Sequence, residues 1–453
     1  MGSLMVAGGL FDGVLAAGPV AELVGDRAWV QAMLDFESAL AAASAMSGVI
    51  PEAAAAAIEK CCRAELYDIA ALAADAVRIG NPAGPLVRAL TARVVPEAAA
   101  YVHLGATSQD VIDTAAMLLS ARALAALRTD LHVCATRLAQ LAEEHAGTVM
   151  VGRSLLQQAL PVTFGLTAAG WLGGVLAALD SVDLIRRERL AVQFGGAVGT
   201  LAALRGKGIP VLGELARRLD LAEPTLAWHT ERSRIAEVAG VLGQACGTVA
   251  KIARDITLLA QTEVAEVREQ GPPGGGGSST MPHKQNPVAA VLAAGSAAQA
   301  PGLVANLLAA GVHEHQRAAG AWHAEWRPLT ELLRSTGSAV HWLRVCLERL
   351  QVDPVRMRDN LDSAGGLLVV EHVAIELVSA AGGVVGRQEA TDLIAACCLR
   401  ASSGDLADLL AADSTIGKFL NRNQIEDLLD PASYLGSAEE FVRRALRDWQ
   451  SRL

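Results

Sequence analysis

Residues 107–146 read TSQDVIDTAAMLLSARALAALRTDLHVCATRLAQLAEEHA, a stretch with neither glycine nor proline whose apolar side chains recur at three- and four-residue spacing. That period puts the apolar residues on one broad face of a helix. A single helix of roughly 38 residues would be about 57 Å long. Helices of that length without internal caps usually pack in bundles, often across subunits. The stretch therefore predicts a mainly α fold with a central long-helix bundle, in a homo-oligomer.

Outward from this stretch the texture stays helical. Ala and Leu are abundant, while Phe and Tyr number 6 and 3. Alternation bounded by turn residues is nearly absent, which argues against all-β and βαβ folds. Further helices are expected around Gly165–Glu188, Arg232–Glu266, Pro287–Leu308 and Glu331–Leu350. Pro51-Glu52 starts a shorter one, and Val352-Asp353-Pro354 marks a boundary. Three parts follow: 1–105, 106–350 and 351–453. No period of 20 to 50 residues repeats, which excludes a solenoid.

Composition narrows the function. With 52% hydrophobic and 19% charged residues the chain folds around a large core, and a net charge of −10 leaves no basic footprint for nucleic acid or an anionic membrane. An anionic substrate would need locally clustered cations. The 7 cysteines include no C-x-x-C pair, which fits a reducing cytoplasm rather than a disulfide framework or a thiolate metal site. The N-terminus lacks a basic n-region and meets Asp12 early, unlike a secretory signal. Two uncharged runs, Ser154–Leu179 and Gln285–Val312, are long enough to cross a bilayer. Each carries internal Gln and Pro (Gln157, Gln158 and Pro161; Gln299 and Pro301), so bundle helices are the better reading.

Four segments could carry chemistry. Gly271-Pro-Pro-Gly-Gly-Gly-Gly-Ser278-Ser279-Thr-Met-Pro-His-Lys284-Gln-Asn286 joins a glycine tract to two serines, a lysine and an asparagine. Glycines in a row lose much backbone entropy on ordering, so they fit a moving lid or a backbone close to a ligand. His103-Leu-Gly-Ala-Thr107-Ser108-Gln-Asp110 opens the long helix; Thr107 and Asp110 have capping-box spacing, and a helix start also favours anions. Gly152-Arg153-Ser154-Leu155-Leu156-Gln157-Gln158 is the third. The fourth, His313-Glu-His315-Gln-Arg317 with His323 and Glu325 beyond, raises a metal site but has no H-E-x-x-H pattern. No G-x-S-x-G elbow supports a serine hydrolase.

Together these segments resemble the fumarase/aspartase superfamily, whose G-S-S-x-M-P-x-K-x-N signature reads Gly277-Ser278-Ser279-Thr280-Met281-Pro282-His283-Lys284-Gln285-Asn286 here. The H-x-G-x-T-S-x-D and G-R-[ST]-x-x-Q-x-A-x-P segments occur in the family's order. The resemblance implies a three-part helical lyase fold, a cytoplasmic homotetramer with active sites shared between subunits, a small polycarboxylate substrate, and no cofactor or metal. It implies Ser278 as catalytic base, activated by lid N–H groups and Lys284, with Lys284, Asn286, Thr107 and Ser108 binding substrate carboxylate. His103, Gln157 and Arg317 match pocket positions.

Two departures are informative. Many members carry a histidine where Leu155 stands and its glutamate partner where Val291 stands; both are apolar here. A carboxylate that leaves as an anion needs no proton from such a histidine. The departure thus favours lactone chemistry, a cycloisomerase in which one C–H proton moves. A lyase expelling another weak base, such as nitrite, is the alternative; an adenylosuccinate lyase-like activity or a catalytically silent scaffold ranks lower. Gln285 stands where the lactone-forming members carry arginine, one positive charge fewer.

Overall fold

A computed structural model of the chain describes residues 9–271, 281, 284–401 and 406–453. The fold is mainly α, as the periodicity predicts. The decisive stretch forms one helix, Ser108–Glu144, of 37 residues. Four other long helices accompany it: Asp26–Met46, Phe164–Glu188, Ser233–Leu259 and Ala321–Arg349.

Two helices depart from the sequence reading. The expected 287–308 helix is broken into Val288–Ala297 and Ala300–Ala309, with Pro301 in the first turn of the second piece. Proline has no N–H to donate back, so it starts a helix more readily than it continues one. The last long helix begins at Ala321, ten residues before its expected start, and runs through Pro328.

Strands are few but placed at the segments of interest. Val149–Ser154 pairs antiparallel with Gln157–Thr163, Arg153 opposite Gln158, with an irregularity between Val151 and Arg153. Gly152 sits at that irregularity, where a Cβ would fall 2.4 Å from the Leu160 carbonyl oxygen. The hairpin turns on Leu155 and Leu156, at φ +52° and +63°. A second antiparallel pair joins Val267–Glu269 to Leu350–Val352.

The chain folds as two compact units, each made of three chain segments. The first takes residues up to His132, Ala177–Ala253 and Val291–Arg344; the second takes Val133–Leu176, Arg254–Ala290 and Val345–Leu453. The first centres on fully buried side chains such as Leu34, Phe36, Leu86 and Met117, with the Phe36 and Phe194 rings edge to face at 6.4 Å. Each such side chain contributes about 1.5–3 kcal/mol through burial. The second unit has a core of Val373, Leu377, Ile394, Leu410, Ile416 and Ile425 from short helices.

Among the described residues three helical stretches are long and apolar enough to cross a membrane: Phe164–Glu188, Ser233–Leu259 and Val288–Ala309. Their most apolar windows are 56%, 44% and 33% buried within the single chain. Each thus keeps apolar surface that one copy does not cover.

Candidate active site

The first unit gathers His103, Thr107, Ser108 and Arg317. The chain reaches the long helix through a tight turn, with His103 at φ +60° and Gly105 at φ +79°. A histidine in the left-handed region is uncommon and worth explaining by function. Asp110, buried in the first turn of the helix, holds the turn closed. Its Oδ2 accepts from the Thr107 N–H at 3.0 Å and the Gly196 N–H at 2.9 Å. Its Oδ1 accepts from the Gly195 N–H at 3.1 Å and from His229 Nε2 at 2.7 Å. Burial pushes the Asp110 carboxyl above its ordinary range, opposed by the hydrogen bond and charge of His229.

The capping box suggested by Thr107 and Asp110 is half made. Asp110 caps Thr107, whereas the Thr107 hydroxyl accepts from Arg317 Nη1 at 3.1 Å. Arg317 also lies over the Trp322 ring at 6.0 Å. Half-burial pulls its guanidinium below the usual value, though Asp110 and Asp113 counter this. It remains a cation facing a helix N-terminus, the combination that favours a carboxylate.

Beneath it lies a buried charge network. Arg232 grips Asp113 with Nη1 and Nη2 at 2.8 and 3.1 Å, and Glu325 with Nε and Nη2 at 2.9 and 2.5 Å. Burial opposes the Arg232 charge, but the two carboxylates more than offset it and raise its proton affinity. Trp322 Nε1 donates to Asp113 at 2.9 Å. His313 Nδ1 donates to the His229 carbonyl at 3.3 Å, and the Thr230 hydroxyl donates to the His315 carbonyl at 3.1 Å. These bonds tie the loop that carries Arg317 to the segment that carries His229. Of the histidines raised as metal ligands, His323 lies apart from these bonds, its Nε2 donating to the Gly80 carbonyl.

Gln157, Lys284 and Asn286 belong to the second unit. Gln157 is exposed at the first position after the hairpin turn. Lys284 is exposed and Asn286 half-buried just before helix Val288–Ala297. The start of that helix is anchored by buried Glu269, whose carboxylate accepts from the Ala289 and Ala290 N–H groups at 3.0–3.2 Å. Glu269 and Ala289 stand on the two sides of the glycine tract in sequence. Ser278 and most of the tract lie outside the described residues.

Leu155 is 97% exposed and Val291 52% exposed in the single chain. The pair that replaces histidine and glutamate is thus not buried within one copy.

Residues 15–302 match the family described as lyase, and residues 366–445 match the adenylosuccinate lyase C-terminus. The chain is a lyase of the fumarase/aspartase superfamily. Among its relatives, 3-carboxy-cis,cis-muconate cycloisomerase of Pseudomonas aeruginosa is 46% identical over 97% of this chain and 96% of that protein. The protein of that name from Bradyrhizobium diazoefficiens is 48% identical over 93% and 94%. Nitrosuccinate lyase of Streptomyces davaonensis is 43% identical over 98% and 95%. The crystal structure of 3-carboxy-cis,cis-muconate lactonizing enzyme from Pseudomonas putida superposes with a TM-score of 0.90 at 44% identity, covering 98% of this lyase and 99% of that chain.

Several polar groups of this lyase escaped the sequence reading: Glu37, Asp110 beyond its capping role, Asp113, His229 and Arg232. One signal was present. Asp110 and Asp113 are three apart on an otherwise apolar helical turn, a spacing that puts both on one buried face.

Proposed function

We propose that this lyase closes 3-carboxy-cis,cis-muconate to 4-carboxymuconolactone, a cofactor-independent cycloisomerisation in aromatic breakdown. The observation that carries the reading is the hairpin tip: an apolar Leu155-Leu156 turn with no titratable group, on a chain otherwise nearly half identical to cycloisomerases along its length. The reaction moves one proton to carbon with no net oxidation or reduction, so it asks for no redox group.

In this reading Ser278 exchanges the carbon-bound proton. Lys284, Asn286, Thr107, Ser108 and Arg317 hold carboxylates, with His103 and Gln157 completing the pocket. The Thr107–Arg317 pairing supports a carboxylate subsite, because it sets a guanidinium and a hydroxyl together at a helix start.

The working form is a homotetramer whose active sites combine segments from different subunits. Support comes from the uncovered apolar surface of helices Phe164–Glu188, Ser233–Leu259 and Val288–Ala309 and from exposed side chains such as Leu184 and Leu308. We place the enzyme in the cytoplasm, without nucleic-acid or membrane partners, and divide it at 105/106 and 350/351.

The nitrosuccinate lyase relative supports a second reading, expulsion of nitrite, which also needs no acid at Leu155. One assay separates them: purified protein with chelator present is mixed with 3-carboxy-cis,cis-muconate, and the loss of diene ultraviolet absorbance is followed beside a Ser278→Ala control. Rapid loss in wild type alone supports the cycloisomerase and its base. No loss from a folded oligomer that releases nitrite from nitrosuccinate would replace the first reading by the second.

A further inference from the structure

The cyclisation leaves one charge to be managed. A carboxylate oxygen bonds to a carbon of the diene, and the displaced π pair moves to the neighbouring carbon and into the carboxylate conjugated with it. That carboxylate becomes an enediolate with nearly one extra negative charge until its α-carbon takes a proton from Ser278, which regains one from water. A cation that tightens its hydrogen bond as this charge grows lowers the barrier more than it stabilises bound substrate.

The described residues hold a group built for this. His103 sits four residues before Thr107 in the turn that opens the long helix, held at φ +60°. Its Nδ1 lies 2.6 Å from Glu37 Oε1, while its side chain keeps 19% of its surface open. With Nδ1 taken, Nε2 is the ring's outward donor. Glu37 is 1% exposed, and its other oxygen, Oε2, is buried without a hydrogen-bond partner among the described residues. A buried carboxylate with an unpartnered oxygen is expensive, so packing alone does not explain it. A protonated His103 balances it. Burial works against the charged ring, yet the charge and hydrogen bond of Glu37 from helix Asp26–Met46, with Asp110 from the long helix, outweigh it and raise His103 above the ordinary histidine value.

We propose that Glu37 is a positioning residue that keeps His103 an imidazolium, and that His103 Nε2 is the catalytic donor to the carboxylate on which enediolate charge develops. The proposal rests on the cycloisomerase reading for its substrate, but not for the charge of the pair. His103 keeps its proton throughout, so activity fails when alkali removes it.

The test uses full-length Glu37→Gln, whose amide oxygen can still accept from Nδ1 while lacking the charge. The first readout needs no substrate: the pH dependence of diethyl pyrocarbonate modification of His103, followed by peptide mass spectrometry. The midpoint should stand above about 6.5 in wild type and fall by about one unit or more in the variant. The second readout is turnover of 3-carboxy-cis,cis-muconate. At pH 8 the variant's kcat should drop about tenfold or more with KM within about threefold, recovering toward wild type at pH 6, while Glu37→Asp retains most activity. An unmoved midpoint, or a kcat unchanged at pH 8, overturns the proposal and leaves Glu37 a brace of the turn. If Glu37→Gln does not fold, wild type decides: a His103 midpoint at or below the ordinary value, or one that does not coincide with the alkaline loss of kcat, overturns it. A wild type inert on the muconate defeats the substrate reading, while the modification midpoints still decide the charge of the pair.

Discussion

The turn at 103–110 and the hairpin tip at 155–156 both hold non-glycine residues at positive φ, yet they are built in opposite ways. In the first, the strained His103 is held by buried Glu37, and its neighbours are held as well: Asp110 accepts four donors and Arg317 donates to Thr107. In the second, Leu155 and Leu156 are 97% and 73% exposed, with no polar atom in either side chain to offset the strain. One chain supplies the partners that hold the first turn. It does not explain the second, and an apolar strained tip is sensible where another surface covers it.

The largest effect should come from the network under the first turn. Arg232→Met removes the guanidinium that Asp113 and Glu325 share and leaves two buried carboxylates without it. Breaking a buried ion pair costs about 3–5 kcal/mol. Thermal unfolding should show a fall in Tm of many degrees or an insoluble product. A loss of only a degree or two would mean the network is not what fixes the turn.

Next comes the carboxylate subsite proposed at Thr107 and Arg317. Arg317→Ala deletes the cation beside Thr107 and a charge-assisted bond worth about 1.5–3 kcal/mol, hence a loss in kcat/KM of about 10- to 150-fold. Steady-state kinetics on the muconate measures this. Tm should hardly change, because the guanidinium is half-buried and its loop stays tied by His313 and Thr230.

The tip is tested by Leu155-Leu156→Asn-Gly, the pair that the left-handed turn prefers. Relief of strain is worth about 1–2 kcal/mol per residue, so Tm should rise if the tip stands free. A fall in Tm together with a shift toward smaller oligomers in sedimentation would show that the leucines are covered by another copy. Either result sharpens the contrast, and a fall in kcat/KM with the oligomer intact would assign the tip to the substrate.

How much of this was legible in the residues depends on period and partner. The long helix was legible because one rule, apolar recurrence without breakers, runs unbroken from Ser108 to Glu144. The 149–163 hairpin was not: it lacks alternation, contains Pro161, and turns on two leucines where Asn-Gly would have announced it. The motif residues Thr107 and Arg317 do come together. What holds them was hidden, because Glu37, His229, Arg232 and Glu325 are scattered over nearly three hundred positions and only folding makes them neighbours. Tertiary charge pairing leaves no local pattern to read.

The smallest effect concerns pH and stability. His103 has a raised folded value, so its pairing with Glu37 stabilises the fold fully below the ordinary histidine value and loses that contribution as pH rises through the folded one. Between pH 6 and pH 9 wild type should therefore lose more Tm than His103→Asn, in which the titrating ring is gone but a side-chain donor to Glu37 remains. Differential scanning across that range checks it. Parallel slopes in the two proteins would mean that the pair carries no net proton linkage, which would remove the charge difference drawn between the two turns and leave only their burial to distinguish them.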